Sequence, residues 1–203
     1  MPNEAYKLWH KPNRSGTKSE GGTSQTHQGY ANIKNISKYI GNPNLIIYRS
    51  SWEFSFIKWC DASPSILKWS SEPIKIPYYD RVSKLDECKR LGLDPNQPKN
   101  WVIKNYNIDF WVEVKMSNSN IEKWFIEIKP KNKLSRPIPP KPGAPLKEQK
   151  SFTIKAKEYL INEAKFAAVN EWAKKAGGKF YIFTEDQLIR YGIIGGRFDL
   201  PNK

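Results

Sequence analysis

Residues 101–129, WVIKNYNIDFWVEVKMSNSNIEKWFIEIK, contain two runs in which apolar and polar side chains alternate. Alternation with a period of two is typical of half-buried β-strands. The segment 118–120 between the runs is rich in residues that favour turns. This stretch therefore predicts a β-hairpin, in which one long strand precedes the turn and residues 123–131 form the second strand.

A helix is predicted before the hairpin. The serines at 50–51 are favourable N-cap residues, and the following WEFSFIKWCD at 52–61 places its large apolar side chains in one stripe at helical spacing. Pro64 ends this helix soon after its last apolar turn, because the residue before a proline disfavours helical backbone. One face of the helix is expected to pack on the sheet.

Further elements are predicted on both sides of the hairpin. They are a short strand pair at 66–69 and 73–79, a short helix and loop at 84–100, a stiff proline-rich loop at 134–146, a helix from about 151 to 176, and a buried strand at 179–184 followed by a last helical turn. This order favours an α/β or α+β domain with a mixed central sheet flanked by helices.

The charge of the chain narrows the class of partner. The 203 residues carry 34 basic and 20 acidic side chains, a net charge of +14, which draws a protein toward polyanions such as nucleic acid. No apolar run approaches the roughly 18 residues that span a bilayer, so no membrane partner is expected. Cys60 and Cys88 lack metal-binding spacing, and structural zinc is not predicted.

The first forty residues differ in composition from the rest. Residues 1–40 are basic and lack sustained periodicity, which predicts an N-terminal arm that is mobile or ordered by a partner. The alternative is a loop that wraps over the core. Residues 41–203 are expected to form the folded domain.

Glu127 and Lys129 form the sharpest chemical signal in the sequence. Side chains two residues apart in a strand share a face, so this carboxylate and this ammonium can reach the same phosphate while Ile126 and Ile128 face the core. A carboxylate can hold Mg²⁺ through oxygen, and a lysine can orient an attacking water or stabilise developing charge. By itself the pattern is also typical of a solvated strand face.

The preceding strand offers a second carboxylate. Asp109 and Glu113 share the polar face of their strand, and a hairpin can set Asp109 across from Glu127, close enough for both to share a divalent ion. Glu113 is the competing ligand, and the register of the hairpin decides between them. We favour Asp109, although it is also placed to do no more than cap a turn.

A third acid, Glu53, lies in the predicted helix beside its buried stripe. A carboxylate there is costly unless it binds a metal or pairs with a cation. The alternative is an ion pair with Arg49 or Lys58. Glu72 is a weaker candidate of the same kind.

Glutamate in a helix, aspartate in a strand and E-x-K in the next strand resemble the PD-(D/E)XK nuclease superfamily. More narrowly, four segments look like the head completion nucleases of T-even-type tailed bacteriophages: YRSSWEFSFIKWCD, KWSSEPIKIPY, IDFWVEV and FIEIKPK. The similarity runs from about residue 41 to 184, and its last helix and strand resemble the same segment of transposon end-cutting nucleases. Ile108 stands where the superfamily normally has proline, and segment 84–100 has no counterpart.

This resemblance implies a restriction-endonuclease-like core and a set of site residues. Glu53, Asp109 and Glu127 would be ligands of Mg²⁺ or Mn²⁺, and Lys129 would be the catalytic lysine. It further implies hydrolysis of double-stranded DNA while the packaged phage head is completed, with head or portal proteins as partners. The expected location is the host cytoplasm during assembly, or the virion.

The stretch 129–157 holds nine basic side chains and a single acid, Glu148. We expect it to bind the DNA backbone, which gives salt-dependent affinity with little sequence information. The residues concerned are Lys131, Lys133, Arg136, Lys141, Lys147, Lys150, Lys155 and Lys157. The alternatives are that these side chains only solubilise a loop, that the chain is an inactive DNA-binding protein of the phage head or neck, or that its substrate is RNA.

Overall fold

The structure is a computed structural model that describes residues 28–195. Its strands are β1 (Gly29–Tyr30), β2 (Ile47–Tyr48), β3 (Ile66–Ser71), β4 (Lys75–Asp80), β5 (Val102–Asn107), β6 (Phe110–Lys115), β7 (Ile121–Ile128) and β8 (Lys179–Phe183). Its helices are α1 (Ser51–Ala62), α2 (Leu85–Leu91), α3 (Leu146–Lys175) and α4 (Glu185–Arg190).

A four-stranded mixed sheet forms the centre of the fold. Its strand order is β3-β6-β7-β8, with antiparallel pairs on either side of β6 and a parallel pair between β7 and β8. The parallel pair requires a long crossover, which α3 provides. The predicted mixed sheet with flanking helices is confirmed, and so is the hairpin of β6 and β7.

Both faces of the central sheet are covered. On one face, Phe56 of α1 packs against Phe110 with ring centres 4.6 Å apart, within a cluster that includes Ile126 and Ile128. On the other face, a second cluster joins α3 to β7 through residues such as Phe125. Because successive residues of β7 alternate between the two clusters, an acid in this strand becomes deeply buried.

The predicted helix at 52–61 is confirmed as α1. Its N-cap is Ser50, whose hydroxyl accepts a hydrogen bond from the Glu53 backbone N–H at 3.1 Å. The helix ends at Ala62, two residues before Pro64, as the proline requires. This capping fixes where the first turn of α1 begins, and with it the position of Glu53.

The predicted strand pair at 66–69 and 73–79 is wrong as a pair. β3 joins β6 in the central sheet, whereas β4 pairs with β5 in a separate two-stranded sheet. Glu72 has a left-handed backbone (φ 45°) and is followed by Pro73, so the chain turns out of the central sheet between the two strands. Neither strand was misidentified, but their partners were.

The long strand predicted at 101–116 is also interrupted. β5 ends at Asn107 and β6 begins at Phe110, so the two halves belong to different sheets. Ile108 packs in the cluster on the α3 face, whereas Phe110 packs on the α1 face. The break leaves Asp109 between two strands that belong to different sheets.

α3 begins at Leu146, directly after Pro145, and not near residue 151 as predicted. Proline is compatible with a helix start because its missing N–H would have no partner there. The proline-rich loop before it contains no strand, and α2 lies within the predicted segment 84–100. No helix between residues 28 and 195 combines the length and apolar composition needed to cross a bilayer.

Residues 28–40 lie against the folded domain. β1 pairs with β2, Ala31 is buried, and the backbone N–H groups of Lys34 and Asn35 each donate to the Asp61 carboxylate at 2.8 Å. This part of the predicted arm therefore follows the alternative arrangement, a loop that wraps over the core. Residues 1–27 of the predicted arm lie outside the described residues.

Asp80 links the two ends of the segment that carries α2. Its side chain is buried, accepts hydrogen bonds from the Val82 and Ser83 N–H groups at 2.9 Å, and lies 2.7 Å from Lys104 Nζ. Burial alone would raise the pKa of Asp80, but the hydrogen bonds from Lys104 and Ser83 lower it to about 2. The ionised form is thus favoured by folding.

Replacing Asp80 by asparagine is expected to lower the free energy of unfolding at pH 7 by about 2 kcal/mol, the equivalent of the shift in pKa. Because the folded pKa lies below the ordinary value of 3.8, this stabilisation is complete above that value and is lost as the pH falls through it toward 2. Urea unfolding of parent and Asp80→Asn at several pH values measures the difference.

The matched control is Glu171→Gln, which breaks the exposed ion pair with Lys174 and should change stability by less than about 0.5 kcal/mol. A penalty for Asp80→Asn that persists undiminished at acid pH would contradict the role assigned to the carboxylate.

Candidate active site

The register of β6 and β7 brings two predicted acids to the same end of the sheet. Phe110 pairs with Ile126, and continuing this register by one residue sets Asp109 opposite Glu127. The Asp109 carboxylate folds over the end of β7, where its Oδ2 accepts a hydrogen bond from the Ile128 N–H at 2.8 Å. The break between β5 and β6 leaves the Asp109 side chain available for this contact.

Glu113, the competing ligand, lies elsewhere. It pairs with Lys123 of β7 and Lys68 of β3, four residues further along the strand than Asp109, which corresponds to roughly 13 Å. The hairpin register thus places Asp109, and not Glu113, beside Glu127.

Glu127 is almost completely buried, with 1% of its surface exposed. Its Oε1 lies 3.0 Å from Lys129 Nζ, and the Lys129 N–H donates to the Phe183 carbonyl at 3.0 Å, which fixes this end of β7 against β8. The second carboxylate oxygen, Oε2, is buried and has no hydrogen-bond partner within residues 28–195. A buried carboxylate oxygen without a partner is costly, and it is available to a ligand.

Lys129 keeps its proton in this environment. Burial alone would lower the pKa of its ammonium group, but the charge of Glu127 and the hydrogen bond to it leave the pKa raised. The side chain is also partly exposed to solvent, with 30% of its surface accessible. A charged donor is therefore held beside the carboxylates at a point that solvent reaches.

Glu53 is held at the N-terminus of its own helix. Its Oε1 accepts a hydrogen bond from the Ser50 hydroxyl at 2.9 Å, and its Oε2 accepts one from the Arg49 N–H at 2.8 Å. The predicted alternative, an ion pair with Arg49 or Lys58, is wrong within the part of the chain that the structure describes. The Arg49 guanidinium pairs instead with Glu72, and Lys58 donates to a backbone carbonyl.

The three predicted acids nevertheless act on one another. Burial raises the pKa of Asp109 well above its ordinary value, and the negative charges of Glu127 and Glu53 raise it further. The Ile128 N–H and the Lys129 charge oppose this rise without cancelling it. Asp109 is thus a carboxylate whose negative charge lacks compensation, which is the electrostatic condition that a bound cation relieves.

The acids do not form a complete ligand set in this conformation. Among residues 28–195, no three His, Cys, Asp or Glu side chains converge as a group able to hold a metal ion. Asp109 and Glu127 suit a divalent cation, because one has an uncompensated charge and the other an oxygen without a partner. Glu53 would have to leave its contacts with Ser50 and Arg49 to join them.

Glu72, the weaker candidate, lies next to this group. Its N–H donates to the Asp109 carbonyl at 2.8 Å, and its carboxylate is paired with Arg49. Glu72 and Glu127 both have a cationic partner, but Glu127 also keeps a buried oxygen without a hydrogen-bond partner among the described residues, which makes Glu127 the more suitable ligand.

Sequence reasoning missed Tyr106 and Lys165. The Tyr106 hydroxyl is buried beside Glu127 without a hydrogen bond of good geometry to any described residue, and its pKa is raised by burial, then by the charges of Glu127 and Asp109 and the interaction with the Glu127 carboxylate. Lys165 of α3 lies over the Tyr106 ring, with Nζ 4.8 Å from the ring centre. For Lys165 the sequence offers a weak signal, since this residue lies at helical spacing from the apolar Val169 and Ala173.

The predicted DNA-binding residues fall into two groups. Three of them are engaged in exposed ion pairs: Lys131 with Asp186, Lys133 with Glu158, and Lys157 with Asp86. The other five are exposed and form no ion pair with any residue from 28 to 195; they are Arg136, Lys141, Lys147, Lys150 and Lys155. A cleft of about 560 Å³ separates the proline-rich loop from the start of α3.

Comparison with known proteins identifies the family of this chain. The family model described as "TnsA-like endonuclease N terminal" matches residues 63–185, a range that contains Asp109, Glu127 and Lys129 but not Glu53. The head completion nuclease of Enterobacteria phage T4 is 36% identical over 162 residues, which cover 80% of this chain and 93% of that protein. The resemblance inferred from the sequence is confirmed, and the chain belongs to the TnsA-like endonuclease family, with its restriction-endonuclease-like fold.

Proposed function

We propose that this nuclease is a divalent-metal-dependent endonuclease that hydrolyses phosphodiester bonds of double-stranded DNA. One observation carries the proposal: Glu127 is buried opposite Asp109 with one oxygen paired to Lys129 and the other without a partner. A buried acid next to a second acid and a retained ammonium is an arrangement that costs stability and suits phosphoryl chemistry.

Asp109 and Glu127 are the proposed ligands of Mg²⁺ or Mn²⁺, and Glu53 is the proposed third ligand after it leaves the cap of α1. When bound, the cation would supply Lewis-acid stabilisation of the phosphate and a more acidic water. The donor set consists of carboxylate oxygens, which both ions prefer.

Lys129 has the proposed role of catalytic lysine. Its Nζ lies at the solvent-reached edge of the acidic pair, and its raised pKa keeps the proton in place. A phosphate that reaches this end of the sheet therefore meets a fixed positive charge, which stabilises the negative charge that grows on the phosphate oxygens during attack by water. Glu127 orients the ammonium through its Oε1.

The five exposed cations without ion-pair partners are proposed to hold the DNA backbone. They lie on the proline-rich loop and in the first turns of α3. Further along α3, the charge of Glu158 acts on Lys129, so this helix connects the cleft with the acidic pair. Such contacts position a duplex without reading its sequence.

The relative named for head completion suggests the biological setting. We propose that this chain acts on DNA as a phage head is finished, in the host cytoplasm or in the virion, and in contact with head or portal proteins. The alternative is a DNA-binding head or neck protein without activity. One observation favours it, namely that Glu53 is engaged in capping α1 instead of joining the other acids.

Cleavage is tested with the purified full chain and supercoiled plasmid. With Mg²⁺ or Mn²⁺ the parent is expected to cut the plasmid, EDTA should stop the reaction, and Lys129→Ala should slow it by at least about 10²-fold, as for other groups that stabilise transition-state charge. The control Lys174→Ala removes a lysine from an exposed ion pair of α3 and should cut as fast as the parent. Binding without cutting under every metal would favour the alternative function.

Replacing Lys147 and Lys150 together by glutamine is expected to weaken duplex binding without affecting the fold. Each lost phosphate contact should reduce the slope of log affinity against log salt by about 0.9. Fluorescence anisotropy of a labelled duplex over a salt series gives the slope. An unchanged slope would mean that these lysines only solubilise the loop.

Asp109→Asn is expected to stabilise the metal-free protein at pH 7, because the amide is cheaper to bury and is not repelled by Glu127 and Glu53. A carboxyl whose pKa is raised by folding binds more protons in the folded state, so its contribution to stability decreases as the pH rises above the ordinary value of 3.8. Thermal unfolding should show a higher midpoint for the variant without metal.

In the same experiment, Mg²⁺ should raise the unfolding midpoint of the parent and have little effect on Asp109→Asn. Glu113→Gln, a neutralisation on the same strand, serves as the control and should keep the response to Mg²⁺. A variant no more stable than the parent in EDTA would remove Asp109 from the site.

A further inference from the structure

The buried stripe of α3 changes character along the helix. Val169 and Ala173 are fully buried in the core on the α3 face. At helical spacing toward the N-terminus, the next positions of the same face are Lys165, Asn162 and Glu158. An apolar stripe therefore becomes polar as it approaches the end of β7.

Lys165 is a cation without a counter-ion. Its Nζ lies 4.8 Å from the ring centre of Tyr106 and 5.8 Å from that of Tyr78, and within residues 28–195 it forms no ion pair. Burial and the positive charge of Lys129 lower its pKa. The charge of Glu127 acts on Lys165 in the opposite direction, but of the two ammonium groups only Lys129 is paired with that carboxylate.

The neighbouring carboxylates are already paired with other cations. Asp80 lies 2.7 Å from Lys104 Nζ, and Glu158 lies 3.1 Å from Lys133 Nζ. Neither of them forms an ion pair with Lys165, and Glu127 is the acid whose charge acts most on Lys165.

Asn162 supplies a second donor on the same face. Only 7% of its surface is exposed, and its Nδ2 is buried without a hydrogen-bond partner among the described residues. It lies one turn after Glu158 and one turn before Lys165. Asn162 is consequently on the same face of α3 as these two residues. The charge of Glu158 raises the pKa of Lys129, and the charge of Lys129 adds to burial in lowering the pKa of Lys165.

Two groups on this side of the site are hydrogen-bond donors without a paired acceptor among the described residues, the ammonium of Lys165 and the amide of Asn162. The Tyr106 hydroxyl lies beside Glu127, the acid whose charge, after burial, acts most on the Tyr106 pKa. A phosphate diester carries acceptor oxygens and a negative charge and has no donor, so it complements such a set. A divalent cation does not, because it needs oxygen lone pairs.

We propose that Asn162 and Lys165 of α3 form a phosphate-binding position opposite Lys129, which holds a backbone phosphate of the DNA strand against the acidic pair. This inference rests on the proposed function, since it assigns the substrate contacts of that same site. Asn162 and Lys165 act by binding and orienting the phosphate, and Tyr106 supports Lys165 through its ring.

The decisive measurement is DNA binding without metal, so that it does not depend on cleavage. For Lys165→Met the slope of log affinity against log salt is expected to fall by about 0.9, the value for one lost phosphate contact. The matched control Lys174→Met removes an exposed lysine of the same helix and should leave the slope unchanged. Plasmid cleavage by Lys165→Met should be slower by about 10²-fold.

Asn162→Leu keeps the number and branching of the side-chain heavy atoms and removes both polar groups. Since no charge is lost, it should slow cleavage by about tenfold, the effect of one hydrogen bond, while its salt slope stays that of the parent. Lys165→Arg restores the charge and should recover the slope, which also covers the case in which Lys165→Met does not fold.

A salt slope for Lys165→Met equal to that of the parent would overturn the inference and leave Lys165 as a cation packed on two tyrosine rings. A change confined to the unfolding midpoint would do the same. If the parent binds DNA but never cuts it, the proposed function fails, whereas the slopes still decide whether this phosphate position exists.

Discussion

The pairing of β6 with β7 is the interaction on which the rest of this structure depends. Its register sets Asp109 opposite Glu127, and the two covered faces of the sheet put Glu127 in a medium where its charge is expensive. Lys129 is fixed at the same strand end by its N–H bond to β8. A shift of one residue would turn Glu127 toward the α1 core and separate all three groups.

The site is built from elements that serve different purposes in the fold. α1 supplies an acid held by its own N-cap, the hairpin supplies two groups directly, and α3 covers them from the other face. The resulting cluster is strained electrostatically, since burial and neighbouring charges disfavour the ionised form of Asp109. Such local cost is typical of sites in which geometry is selected for chemistry and not for stability.

The hairpin and the shared face of Glu127 and Lys129 could be predicted from the sequence, because alternation fixes the face of each side chain in a strand. The partners of β3 and β4 could not be predicted, since a left-handed residue at Glu72 and the break at Asp109 send adjacent segments into different sheets. β6 alternates between buried and more exposed residues, whereas β5 does not, and the sequence pattern did not separate the two. Lys165 and Asn162 were missed because charged residues occur all around α3 and its apolar stripe is weak. Only the packing of α3 on the sheet shows which face of the helix is buried.

The two ends of the segment between β4 and β5 are held together, and this affects how much the length of that segment can change. Asp80 and Val102 are the last pair of their two-stranded sheet, and Asp80 is tied to Lys104 across it. The twenty-odd residues beyond that pair, including α2, begin and end at neighbouring points, and lengthening a loop whose ends are already together costs little. This segment is therefore a place where whole structural units can be exchanged while the candidate active site keeps its shape.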